Sequence, residues 1–90
     1  MKPVIVYNMF GLAAKVAAQT VKDAQELGGE YLGTAHSSAE LADIAIKTSI
    51  WNRPFAFFID GKQVSERDAM SNFGAEWHLD NKYVDIKTGE

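Results

Sequence analysis

Leu12-Ala13-Ala14-Lys15-Val16-Ala17-Ala18-Gln19-Thr20-Val21-Lys22-Asp23-Ala24-Gln25-Glu26-Leu27 is the stretch on which the topology turns. Its apolar residues recur at helical spacing. Ala13, Val16, Ala17, Val21, Ala24 and Leu27 form one face; Lys15, Gln19, Lys22 and Glu26 form the other. This pattern predicts a single amphipathic helix over 12–27. The many alanines favour helix and permit a close approach to the layer beneath. Gly28-Gly29 supplies the stop, since glycine accepts the left-handed conformation that follows a helix end. Upstream, Val4-Ile5-Val6-Tyr7 is a continuous β-branched and aromatic run, suited to a strand covered on both faces. Downstream, residues 30–35 read as a second short strand. A helix between two strands predicts a right-handed parallel crossover, with residues 4–7 beside 30–34.

Working outward, Ser37-Ser38-Ala39-Glu40 carries a capping-box spacing, Glu three positions after Ser. It predicts a helix with Leu41, Ile44 and Ala45 inward. Pro54 ends that helical reading and biases Arg53 to an extended backbone. Phe55-Ala56-Phe57-Phe58-Ile59 is the most apolar run and predicts a strand. Asp60-Gly61 is a two-residue hairpin signal, with Lys62-Gln63-Val64 as the return strand. Ser65-Glu66-Arg67-Asp68 starts another helix, with Met70 and Phe73 inward and Gly74 as the stop. Residues 77–79 and 82–86, around Asp80-Asn81, can form a small hairpin. The order β-α-β-α-β-β-α predicts an α/β or α+β sandwich on one mixed sheet.

The chain has 90 residues and a net charge of −3, which predicts one domain and argues against a general nucleic-acid binder. Residues 1–76 are read as the domain and 77–90 as a tail rather than a second domain. A chain this short buries only about 60–65% of its unfolded surface, so each large apolar residue counts. Cysteine is absent. Disulfides, thiolate nucleophiles, Cys-ligated zinc and iron–sulfur clusters are excluded with it. The N-terminal region carries one Lys and a short apolar run, neither a signal peptide nor a membrane span. The expectation is a cytoplasmic protein with no membrane partner and no cofactor.

The element order and the stretch Arg53-Pro54-Phe55-Ala56-Phe57-Phe58-Ile59-Asp60-Gly61-Lys62 resemble the glutaredoxin branch of the thioredoxin superfamily. That stretch looks like the family's cis-proline segment, Val4-Ile5-Val6-Tyr7 its first strand, and residues 8–15 its redox loop. The resemblance spans residues 2–73. It implies a thioredoxin-like, glutaredoxin-size fold: a mixed four-stranded sheet in order 2-1-3-4, with the third strand antiparallel to the first. It also implies that the first and third helices share a face and the second covers the other, and that Pro54 is cis. The redox motif falls on Leu12-Ala13-Ala14-Lys15, so no nucleophile stands at either cysteine position and no thiol–disulfide activity is expected. Ser65 and Glu66 occupy the family's paired-glycine positions, where side chains crowd a glutathione carboxylate. Asp68 stands where the family has an acidic residue facing the glutathione amine. The expectation is glutathione binding weaker than about 1 mM. Arg53-Pro54 also resembles the Arg-Pro of the arsenate-reductase/Spx branch, without its cysteine or its helical insertion.

The resulting functional expectation is a non-catalytic binding module engaging a protein or peptide partner. Its surface would combine Asn8, Met9, Phe10, Gly11 and Leu12 with Trp51, Arg53 and Pro54. Met9 and Phe10 could equally be core residues, and Asn8 a cap. Arg53 reads as an anion contact or a solvated charge; Trp51 and Trp77 read as interface anchors or core closure. The alternative is a small-ligand binder retaining a glutathione or anionic-peptide pocket at Arg53, Pro54 and Asp68. A structural subunit that oligomerises through the tail is a further reading. His36 and His78 lack catalytic or metal-ligand spacing and read as surface or cap residues. No metal site is expected.

Overall fold

The computed structural model describes residues 2–48, 54–77 and 83–85. Strand β1 (Val4–Asn8) is followed by helices α1 (Leu12–Ala17) and α2 (Val21–Glu26). Then come β2 (Glu30–Ala35), α3 (Ser38–Thr48), β3 (Phe55–Ile59), β4 (Lys62–Val64) and α4 (Glu66–Asn72). A separate hairpin pairs β5 (Ala75–Trp77) with β6 (Tyr83–Asp85), Trp77 opposite Tyr83, so the tail hairpin begins two residues earlier than expected. The main sheet has the order β2-β1-β3-β4, and β3 runs antiparallel to β1, both as expected from the resemblance.

The expected single helix over 12–27 is two helices, and this reverses the direction of β2. Thr20 breaks the helix by acting as a cap. Its Oγ1 accepts the Asp23 N–H at 3.1 Å, and the Asp23 carboxylate accepts the Thr20 N–H at 3.2 Å. The reciprocal pair satisfies two otherwise orphaned groups at the start of α2. The connector also docks on the edge of β4. The Gln63 N–H donates to Gln19 O at 2.8 Å and the Val21 N–H to Gly61 O at 3.1 Å. One unbroken helix over 12–27 would be about 24 Å long and would carry the chain to the far end of the sheet. Two short helices joined by a turn cancel that displacement. β2 therefore starts where β1 ended, with Asn8 opposite Glu30 and Val4 opposite Ala35. The sheet is antiparallel throughout, not mixed, and the parallel crossover is not formed.

The distribution of helices follows from the same break. Val4, Val6 and Phe57 point to one side, where Leu41 of α3 and Ala69 and Met70 of α4, with Phe73 just beyond it, cover them. Tyr7 and Phe58 point to the other side, against Ala18 and Ala24. The α1–α2 pair occupies that face, so α3 and α4 share the opposite one. This corrects the expectation that the first and third helices share a face. It also corrects the inward face read for 12–27: Ala13, Val16, Ala17 and Leu27 are exposed, while Ala14, Ala18 and Ala24 face the sheet.

The local signals otherwise hold. Ser37 Oγ accepts the Glu40 N–H at 3.2 Å, and Ser65 Oγ accepts the Asp68 N–H at 3.0 Å. Leu41, Met70 and Phe73 are buried. Asp60 and Gly61 both have positive φ, 54° and 80°, the geometry of a tight two-residue hairpin turn. Gly28 has φ 79°, and the Gly29 N–H reaches back to Ala24 O at 2.8 Å, closing α2. Gly29 is also a point of close approach: a Cβ there would lie 2.7 Å from Met9 Sδ and 2.9 Å from Ala24 O. Trp51 and Arg53, the Arg53–Pro54 bond, His78, Asp80 and the side chains of Ala45, Trp77 and Asp85 lie outside the described residues.

Candidate partner-binding surface

β1 delivers the chain to its end at Asn8, which is fully buried. The Asn8 Oδ1 accepts the Phe10 N–H at 3.2 Å, a local turn in which the Asn side chain imitates a backbone acceptor. Its Nδ2 is buried without a hydrogen-bond partner among the described residues. Met9 is buried, and its N–H donates to Pro54 O at 3.0 Å, which ties the loop to the start of β3. Asn8 and Met9 therefore lie buried beneath the loop. Phe10 is turned outward. Its φ of 58° is left-handed, a conformation that costs a bulky residue about 1–3 kcal/mol, and its side chain is 63% exposed.

Gly11 is extended and leads into α1, where it provides no side-chain cap. Leu12 and Val16, one helical turn apart, are 71% and 63% exposed, and Ala13 and Ala17 beside them are exposed too. No residue of α1 is buried, although Ala14 packs against the core beneath. A short helix that is apolar on nearly every side and exposed on most of it is unusual. Each large side chain left in water forgoes roughly 1.5–3 kcal/mol of burial. Phe10, Leu12 and Val16 thus form an apolar ridge starting beside Pro54.

Of the expected site residues, the structure brings Phe10, Gly11 and Leu12 together and ties their loop to Pro54. Val16, Ala13 and Ala17 were missed, because a single-helix reading assigns them to the core. The cap spacing Thr20-x-x-Asp23 was the signal that could have placed them outward. Asp68 sits exposed in the first turn of α4, across the sheet from α1. It is not part of this ridge. Among the described residues, no group of three or more His, Asp or Glu could hold a metal ion, and no helix is long and apolar enough to cross a membrane. Compared with protein-family models, curated proteins and solved structures, the chain matches none.

Proposed function

We propose that this protein is a non-catalytic binding module that engages a protein partner through the ridge Phe10–Leu12–Val16 and the adjoining Pro54 loop. The observation that carries the reading is Phe10: a large apolar side chain held in water by a left-handed backbone, over an Asn8 turn and a Met9–Pro54 hydrogen bond. Nothing in the core needs that arrangement, since Phe10 joins neither apolar cluster. The partner is an extended segment with apolar side chains for the ridge; the roles expected for Arg53 and Trp51 lie outside the described residues. The thioredoxin-like resemblance supports this reading through strand order, the Asp60-Gly61 hairpin and the position of the loop. The antiparallel β2 departs from what that resemblance implies, so the proposal stands on the ridge. A photo-crosslinking residue at Leu12 should capture a defined partner from lysate, and Phe10→Ser should abolish capture while leaving the fold intact. Capture from a probe placed at residue 79 but not at residue 12 would transfer the function to the tail.

A further inference from the structure

α1 and α4 cover opposite faces of the sheet and approach each other around the β4 edge, where they frame a cleft of about 340 Å³. Lys15 and Gln19 line it from the α1 side, Ser65 and Glu66 from the start of α4, and Phe57 and Val64 give it an apolar surface. The volume lies near the lower end of the range of about 300–1,000 Å³ typical of small-molecule sites.

Its polar walls are held in place by α1. With its carboxamide oriented to satisfy its neighbours, Gln63 donates from Nε2 to Ala18 O at 2.8 Å and Lys15 O at 3.1 Å. Gln19 Nε2 donates to Val16 O at 2.6 Å. Lys15 and Glu66 carry opposite charges on the same cleft and form no salt bridge with each other. Burial pushes the Glu66 carboxyl up, and the attraction of Lys15 offsets this only in part. Glu66 therefore shares the cleft with Lys15 without a salt bridge to it, and its carboxylate stays accessible from solvent.

We propose that this cleft binds a small zwitterion of the free amino-acid class, its carboxylate on Lys15, its ammonium on Glu66 and its apolar side chain on Phe57 and Val64. The charge arrangement selects for this class. A simple anion meets Glu66, a simple amine meets Lys15, and a nucleotide is both too large and too anionic. A zwitterion answers both charges, and the Ser65 hydroxyl can donate to its carboxylate.

The test is an NMR titration of the full chain with L-leucine, N-acetyl-leucine and leucinamide, each blocked compound lacking one of the two charges. Leucine should give saturable shifts at the amides of Gln63, Val64 and Glu66. Each blocked compound should bind at least about tenfold more weakly, a loss of about 1.4 kcal/mol. Lys15→Met and Glu66→Gln should each weaken leucine binding by a similar factor while retaining native spectral dispersion. Equal binding of all three compounds, shifts centred on Phe10 and Leu12 instead, or no saturation at concentrations up to about 50 mM, far above the millimolar range of weak ligands, would overturn the proposal.

Discussion

Phe10 owes its exposure to its own backbone. The left-handed φ follows from the Asn8 turn and from Met9 being drawn inward to Pro54. Phe10→Gly should remove the strain, and glycine's extra freedom in the unfolded chain works against that gain. Stability measured by urea unfolding should stay within about 1 kcal/mol of the native value. Partner capture at Leu12 should fall sharply in the same variant. Gly29→Ala should behave oppositely, costing roughly 1–3 kcal/mol because its Cβ meets the backbone oxygen of Ala24 as well as Met9. Glu66 makes a pH prediction. Its folded pKa is raised from 4.5, so the folded state holds the proton more tightly than the unfolded chain does. The stabilisation is fully present below about 4.5 and is lost as pH rises through the folded value. Glu66→Gln should therefore raise the melting temperature at pH 7 and give no gain at pH 3. The apolar character of Phe10 and the turn-forming habit of Asn8 were legible in the sequence. Which of Met9 and Phe10 faces outward was not, because that is decided by a hydrogen bond from Met9 to a residue 45 positions away.

The decisive element is the connector between α1 and α2. Thr20→Ala removes a cap whose side chain accepts from Asp23, and should cost about 0.5–2 kcal/mol by thermal unfolding. The connector also covers the outer edge of β4, through Gln19 and Val21, and so protects that edge from pairing with another chain. Periodicity could not show the break, because a turn of two or three residues shifts the helical phase only slightly and the alanines suit either face. The caps at Ser37 and Ser65 and the Asp60-Gly61 turn were legible because each is a contact over two or three residues.

At the scale of the whole molecule, two short helices in place of one long one turn a parallel crossover into an antiparallel return. Ile5 and Thr34 are then direct cross-strand partners. The double variant Ile5→Cys with Thr34→Cys should form an intramolecular disulfide under mild oxidation, read as loss of free thiol, since directly opposed strand positions have Cα atoms within disulfide reach, about 4.4–6.8 Å. In the parallel alternative Ile5 would lie near the start of β2, and both thiols would stay free. The same scale carries a chemical prediction. A chain without cysteine has no thiolate to attack a disulfide, so purified protein should show no reductase turnover in a coupled assay.

By itself the sequence determined where the strands of the main sheet lie along the chain, the hairpin turn, the helix starts at Ser37 and Ser65, the stops at Gly28-Gly29 and Gly74, and the absence of cysteine. These depend on residue type and on neighbours a few positions apart. Tertiary structure alone decided the direction of β2, the face each helix covers and the outward position of Phe10, Leu12 and Val16. All three follow from contacts between distant segments: Gln19 and Val21 with the β4 edge, and Met9 with Pro54. Alanines stand on every side of this helix, and Leu12 and Val16 are left outward at a cost in burial, so its local pattern does not by itself fix which side meets the sheet. The backbone hydrogen bonds at its ends do, because each must find a partner and the nearest ones lie on the edge of the sheet.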